Sequence, residues 1–143
     1  MNTEFEEVFN SFKSKIIDYE FLELTPEDEK EIMQRRLKNA LAKFKCKKRN
    51  IIADYDMEEF NRELSEEEID ALSYWLIYEW ITPKVMNIEL MEHRLNTREF
   101  KGYSEANHLD KLQQLKANAK HEAFYWTNQI NSTADYVLGG DKQ

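Results

Sequence analysis

The residues best suited to metal binding or nucleophilic catalysis are three histidines and one cysteine. None of the histidines, His93, His108 and His121, has another histidine or a cysteine within four residues. A pair of metal ligands on one helix face needs such spacing, so the sequence predicts no metal site. Cys46 lies among lysines, which favour a reactive thiolate. A catalytic dyad also needs an oriented base, and the sequence marks none, so we expect an incidental free thiol.

Acidic residues are abundant, but their positions predict structural roles. Glu66, Glu67 and Glu68 follow Ser65 in the pattern of a helix capping box. In such a box the Ser65 side chain bonds the amide of Glu68, and the Glu68 side chain reaches back to the amide of Ser65. Helix capping therefore accounts for these three carboxylates.

Glu79 interrupts an apolar run that extends from Trp75 to Ile81. Because a buried unpaired carboxylate is costly, we expect Glu79 to be exposed or paired with a base such as Lys84 or Arg94. The chain has no glycine-rich phosphate loop, nucleophile elbow or EF-hand loop. We therefore predict no catalytic, cofactor-binding or metal-binding residues, and an unrecognised hydrolase is the weakest alternative.

A base-rich run at residues 43–49 is the most concentrated charge feature. Its basic side chains are those of Lys43, Lys45, Lys47, Lys48 and Arg49. Three interpretations stay open: the run contacts phosphates, faces an acidic partner surface, or is a solvated helix end. The run belongs to a basic block at 35–49 that has eight bases and no acid and lies between acidic blocks at 1–31 and 54–79. This order suits a self-complementary surface as well as solvated, locally paired helix faces. The net charge of −8 argues against general nucleic-acid binding.

Composition predicts an all-α protein. The 143 residues fit one helical domain, a bundle of four to five helices over residues 1–143. Three glycines and two prolines are too few for the tight turns of a sandwich or barrel. A single cysteine excludes an intrachain disulfide and favours a cytosolic origin. We expect no signal peptide in the acidic residues 1–7, and no apolar run approaches the ~20 residues of a membrane span.

Apolar stripes and a capping signal predict the first two helices. The first covers about Glu4 to Tyr19, and the second begins after the cap Thr25, has Pro26 at its first position and ends near 45–48. Their predicted buried stripes are Phe5, Val8, Phe9, Phe12 and Ile16, then Ile32, Leu37, Leu41 and Phe44. Between this helix and Ser65 we predict a short extended piece at 50–55 and a helical turn at 57–62.

The central helix begins at the capping box and is apolar over more than half of its circumference. Its inner stripe is Ile69, Leu72, Leu76 and Trp80, widened by Trp75, Ile77 and Ile81. A helix with so broad an apolar surface must be surrounded by protein. Pro83 predicts a break or a kink after Thr82. A further helix to about Leu95 then follows, with Val85, Ile88, Met91 and Leu95 as its buried line.

The last helix is predicted to begin at its N-cap, Ser104, and to end where Asn131 to Asp135 interrupt the pattern. Its predicted buried stripe is Leu109, Leu112, Leu115, Ala119, Ala123, Trp126 and Ile130. Small alanines in the middle of this stripe allow close approach of a neighbouring helix. We expect residues 132–143 to form a flexible tail.

Two further apolar groups are candidates for partner contacts. Tyr136, Val137 and Leu138 form a triplet in the predicted tail, which is either a disordered terminus or an arm that orders on a partner. Phe100 and Tyr103, in the loop before the last helix, either contact a neighbouring subunit or cover the subunit's own core.

Several pieces between residues 64 and 109 occur in an order that resembles a known family. They are Leu64-Ser65-Glu66-Glu67-Glu68-Ile69, Tyr78-Glu79-Trp80-Ile81-Thr82-Pro83, Asn87-Ile88-Glu89-Leu90, Leu95-Asn96-Thr97-Arg98-Glu99-Phe100 and Tyr103-Ser104-Glu105-Ala106-Asn107-His108-Leu109. This order is similar to that of the small head–tail connector proteins (neck or head-completion proteins) of tailed phages and prophages of Gram-positive bacteria. The resemblance makes residues 61–131 a connector-like core, whereas residues 1–60 match no motif of the family.

The resemblance implies a helical subunit that forms a homo-oligomeric ring, usually of twelve copies, beneath the portal protein. Such a ring extends the DNA channel and carries the next neck or tail-completion protein. Its place is the neck of the virion, and the host cytoplasm during assembly. The resemblance implies no enzymatic activity and no cofactor. From the acidic charge we expect DNA to pass through without specific binding, and from the short apolar runs we expect no membrane partner.

Two other functions remain open on the sequence. A small helical adaptor or regulator would be a monomer or dimer with no affinity for a portal. A DNA-associated protein that uses residues 43–49 would bind DNA with an affinity that falls steeply as the salt concentration rises.

Overall fold

The structure, a computed structural model, describes residues 1–16, 24–44, 50–94 and 103–141, with all of their side chains except those of 88, 90–94, 103–108 and 133–141. The described residues form four helices and one small antiparallel hairpin. In chain order the elements are α1 (Phe5–Lys15), α2 (Pro26–Lys43), β1 (Ala53–Asp54), β2 (Glu59–Phe60), α3 (Glu66–Arg94) and α4 (Tyr103–Asp141). The all-α fold class and the long last helix are therefore confirmed.

Helix α3 lies at the centre of the fold, in contact with α1, α2 and α4. Over residues 71–81 every side chain is buried except those of Tyr74 and Tyr78, which are half-buried. Three helical turns direct side chains to every side, so this stretch is enclosed all round, as its apolar circumference predicts. Further along α3 the neighbouring helices cover only part of its circumference, since Val85 is buried but Met86 is exposed.

Helices α3 and α4 pack side by side in opposite directions. The indole Nε1 of Trp75 donates to Thr127 Oγ1 at 3.2 Å, and Gln113 Nε2 donates to Glu89 Oε1 at 3.0 Å. Later residues of α3 therefore meet earlier residues of α4. The α4 side chains that face the core are Leu109, Ala119, Ala123 and Thr127, with Leu112, Trp126 and Ile130 half-buried. The predicted member Leu115 is exposed, because its position lies off this stripe.

The helix does not break at Pro83, since α3 continues through it to Arg94, and the other predicted outcome, a kink, stays a prediction. Proline removes one backbone N–H from the helix. The hydroxyl of Thr82 donates to the carbonyl oxygen of Tyr78 at 2.6 Å, a local bond of the kind that accompanies helix bending. Because α4 contacts α3 on both sides of the proline, tertiary packing outweighs the loss of one backbone bond.

A hairpin replaces the helical turn predicted at 57–62. Strand β1 pairs with β2 in antiparallel register, with Ala53 opposite Phe60. The carboxylate of Asp54 accepts hydrogen bonds from the amides of Asp56 and Met57 at 3.0 and 3.1 Å, which closes the turn as an Asx motif. Glu58 completes the turn with a φ of 55°, a left-handed conformation uncommon for a residue other than glycine. This turn has no glycine, so the usual hairpin signal is missing from the sequence.

The first residues of the chain are fastened to this hairpin. The amide of Phe60 donates to the carbonyl oxygen of Thr3 at 2.8 Å, and the amide of Phe5 donates to that of Glu58 at 2.9 Å. The buried Thr3 hydroxyl also accepts from the amide of Leu64 at 2.8 Å. These bonds fix the start of α1 beside the turn that precedes α3.

Helix α1 ends four residues before the predicted Tyr19, because Ile16 is extended with φ −133° and ψ 153°. Ile16 is β-branched, which favours extended backbone. The cap of α2 is confirmed, since Thr25 Oγ1 accepts from the amide of Asp28 at 3.1 Å. The helix ends at Lys43 rather than near 45–48.

The buried face of α2 includes the predicted Leu37 and Phe44 but differs from the prediction at two positions. Its buried side chains are those of Met33, Leu37 and Ala40, followed by Phe44 just after the helix. The predicted Ile32 and Leu41 are only half-buried. Ala40 is small, which allows α2 to approach α3 closely. The sequence prediction was based on the larger apolar side chains and therefore did not include it.

Both predicted ends of the last helix are wrong. The helix already includes Tyr103, so Ser104 is not its N-cap, and it continues past Asn131 to Asp141. Asparagine, serine and threonine each cost a helix less than about 1 kcal/mol, so a cluster of them does not force a stop. The helix therefore replaces most of the expected tail. The side chains of Tyr136, Val137 and Leu138 lie outside the described ones, and the hypothesis that they form an arm stays a prediction.

The capping box of α3 is confirmed, and it continues into a buried ion pair. Ser65 Oγ accepts from the amide of Glu68 at 3.1 Å, and Glu68 Oε1 accepts from the amide of Ser65 at 3.0 Å. Both carboxylate oxygens also accept from the guanidinium of Arg62. Glu68 is 1% exposed. Burial opposes its ionisation, but the Arg62 and Ser65 hydrogen bonds and the Arg62 charge prevail, so the pKa of Glu68 lies below its ordinary value.

Replacing Glu68 with glutamine should lower the free energy of unfolding by about 2 kcal/mol at pH 7, because Arg62 loses its charged partner. The folded-state pKa of Glu68 is depressed, so its contribution is present above the unfolded pKa of about 4.3. That contribution is lost as the pH falls through the lower folded-state pKa. Urea unfolding of both proteins from pH 7 downward should therefore show the difference shrinking in acid.

Glu67→Gln is the matched control, because Glu67 is the neighbouring exposed carboxylate. We expect it to change stability by less than about 0.5 kcal/mol. Equal losses from the two variants, or a difference for Glu68→Gln that does not depend on pH, would contradict the assignment.

Candidate interaction surfaces

The structure describes only part of the predicted interface. Lys43 is described with its side chain. Lys45, Lys47, Lys48, Arg49 and Phe100 lie outside the described residues, and so do the side chains of Tyr103, Tyr136, Val137 and Leu138. The role of these nine residues in partner contacts stays a prediction.

Lys43 forms an ion pair with Glu79 at the junction of α2 and α3. The Glu79 side chain is only 10% exposed, whereas that of Lys43 is 41% exposed. The expected pairing of Glu79 is therefore found, but the described partner is Lys43 rather than Lys84, whose Nζ lies 5.1 Å from the centre of the Trp80 ring. Lys43 thus has a role within the subunit.

A mixed basic and aromatic surface adjoins this ion pair. Lys43 and Lys116 place their Nζ atoms 5.8 and 5.5 Å from the centre of the Tyr78 ring, within cation–π range. Lys120 lies 6.0 Å from the ring of the exposed Phe124. We call Tyr78, Lys116, Lys120 and Phe124 the basic–aromatic surface. Cationic and aromatic groups in this arrangement suit an anionic or acidic partner.

Trp75, which is buried, packs against both aromatic rings of this surface. Its ring lies 5.9 Å from that of Tyr78 and 5.0 Å from that of Phe124, both edge to face. Its indole nitrogen donates to Thr127, whose hydroxyl donates to the carbonyl oxygen of Ala123 at 2.7 Å. The surface is therefore fixed by the same contacts that join α3 to α4.

A second surface is a cleft of about 460 Å³ between α1, the start of α2 and the hairpin turn. Phe9, Met33 and Met57 supply apolar walls, and acidic residues surround them. We call it the acidic cleft, and its acidic residues are Glu4, Glu6, Glu29 and Glu58. Its volume is within the range of sites that bind small ligands or single side chains of a partner.

The two lysines of the acidic cleft already have carboxylate partners. Lys13 pairs with Glu29, and Lys30 pairs with Glu58 at 2.7 Å. Among the described residues no ion pair involves the exposed Glu4 and Glu6. The cleft therefore carries an excess of negative charge beside apolar walls.

Sequence reasoning found neither surface as such. The acidic cleft is built from three elements that are distant in the chain, and Lys43 and Glu79 are 36 positions apart. The sequence signals related to these surfaces were the acidic block in residues 1–31 and the base-rich run. They indicate the sign of the charge but not where the charged side chains lie in the fold.

If Lys43 neutralises Glu79, the two single variants should differ in stability. Lys43→Met should lower the free energy of unfolding by about 2 kcal/mol, because it leaves a nearly buried carboxylate without its cation. Glu79→Gln should lower the free energy of unfolding by only about 1 kcal/mol, because the partly exposed Lys43 side chain can reorient and be solvated by water. The double variant should lose less than the sum, in urea unfolding of all four proteins.

Lys38→Met is a suitable control, since Lys38 is exposed on the same helix, and we expect it to be nearly neutral. Additive effects of Lys43→Met and Glu79→Gln would show that the pair contributes nothing.

Within the described ranges, no group of three or more His, Cys, Asp and Glu side chains is placed to hold a metal ion. The described helices include none that is long and apolar enough to cross a membrane. His121 is exposed, and the side chains of His93 and His108 lie outside the described ones. Comparison of the chain with models of protein families, with curated proteins and with solved structures finds no match.

Proposed function

We propose that this chain is a structural subunit of a phage head–tail connector, which forms a ring beneath the portal, extends the DNA channel and joins the head to tail components. The observation that carries the proposal is the ordered series of residue pieces between 64 and 109 that resembles this family. The proposed location is the neck of the virion, and the host cytoplasm during assembly.

The fold is compatible with this role. The first of the resembling pieces is the capping box that begins α3, and the last begins α4. These two long helices pack against each other in opposite directions. A pair of long helices packed in this way is a suitable support for surfaces that contact neighbouring subunits.

The charge of the chain also suits a passage for DNA. Its net charge is −8, and acidic walls repel phosphates whereas basic walls bind them. A ring in which each subunit contacts the next also needs two different, complementary faces on every copy. The acidic cleft and the base-rich run are oppositely charged features of this kind.

The direct test is to produce the chain together with the portal protein encoded in the same genome and to image the complexes. We expect an added ring of density on one face of the portal. A portal without added density, or native particles whose neck lacks this polypeptide, would overturn the proposal. DNA binding that weakens steeply with salt, or a stable complex with a protein outside the virion, would instead support one of the alternatives.

Charge reversal in the base-rich run should weaken assembly without unfolding the subunit. The variant is Lys45→Glu, Lys47→Glu and Lys48→Glu together, with Lys43 left intact because it pairs with Glu79. We expect an unchanged melting temperature, within about 2 °C, and reduced ring formation on the portal.

The matched control replaces the same three lysines with arginine, which keeps the charge and should keep assembly. Normal ring formation by the glutamate variant would show that these lysines do not contribute to the interface.

A further inference from the structure

We propose that the acidic cleft binds the base-rich segment, residues 45–49, of a second copy of this chain. This inference deepens the proposed function, on which it rests, by naming the contact between neighbouring subunits.

The cleft combines the two features that long basic side chains need. Glu4 and Glu6 are exposed at its rim, whereas its own lysines already pair with Glu29 and Glu58. Met57 is 67% exposed there, an apolar side chain left open to water. Lysine and arginine bind such places with their aliphatic stems on the apolar wall and their charged ends on carboxylates.

The segment proposed as the occupant has matching chemistry. It reads Lys45-Cys46-Lys47-Lys48-Arg49 and contains no acid. Single exposed ion pairs contribute little, but several together with an apolar wall can specify a contact. Such a contact weakens as salt screens the charges.

The segment follows the end of α2 that lies away from the cleft. Lys30 lines the cleft near the start of α2, and Lys43 ends the same helix. At 1.5 Å per residue these positions are about 20 Å apart. Lys43 is held there by Glu79, and Phe44, which directly precedes the segment, is buried. A segment that follows one end of α2 and binds the cleft at the other end of α2 in the next copy makes a head-to-tail contact. Contacts of this kind can close into rings.

The test uses disulfide formation between two differently tagged forms of the full chain. One form carries C46S and M57C, so its only thiol is at the cleft, and the other is the unaltered chain, whose only thiol is Cys46. Oxidised glutathione accepts the two electrons released when a disulfide forms. Since the tags differ in size, gels run without reductant separate the mixed dimer from both symmetric dimers.

We expect the mixed dimer to form several-fold faster than either symmetric dimer, and to be suppressed by high salt or by Lys47→Glu with Lys48→Glu in the unaltered form. The control form carries C46S and M86C, because Met86 is also exposed but lies on α3 outside the cleft. Its mixed dimer should form at only the rate of random collision.

Equal rates of mixed-dimer formation for the M57C and M86C forms would overturn the inference. A second experiment oxidises a chain with M57C and its native Cys46. Rapid closure within one chain, independent of protein concentration, would place the segment in its own cleft and would also overturn it. Mixed dimers without a ring on the portal would refute the proposed function alone, and a ring without mixed dimers would refute this inference alone.

Discussion

The apolar circumference of α3 is the constraint on which the rest of the fold depends. Between residues 71 and 81 this helix has almost no polar side to present to water, so other helices must cover it. Helices α1, α2 and α4 do so from different directions. Burial of each large aliphatic side chain in this stretch, such as Leu72, Leu76 or Ile81, stabilises the fold by about 1.5–3 kcal/mol. The polar groups that remain inside are held by specific partners, as Glu79 is by Lys43.

Enclosure of α3 decides which surfaces remain for other molecules. Because α1, α2 and α4 cover α3, partner molecules can contact the ends and outer sides of these three helices. The acidic cleft forms at the start of α2, where α1 and the hairpin turn meet it. The basic–aromatic surface forms beside the end of α2, where α4 crosses Tyr78. The proposed contact between copies uses the acidic cleft together with the base-rich segment that follows α2 in the sequence.

The sequence predicted what depends on local signals and missed what depends on distant contacts. The Thr25 cap and the capping box at Ser65 involve neighbours in the chain, and both were confirmed. The break that was one of the two outcomes predicted for Pro83 does not occur, because local propensity does not include the support that α4 gives to α3. The hairpin was missed since its turn relies on Asp54 without a glycine. The acidic cleft needs three separate elements, so no local pattern could have placed it.

The most direct test of this account is native-state hydrogen exchange along α3. If three helices enclose the first half of the helix, amides over residues 71–81 should exchange only through global unfolding, with an opening free energy equal to that from urea unfolding. Amides near Met86, where the enclosure is partial, should exchange through smaller openings with a lower free energy. Uniform protection along α3, or faster exchange over residues 71–81 than near Met86, would contradict the central place of the enclosed helix.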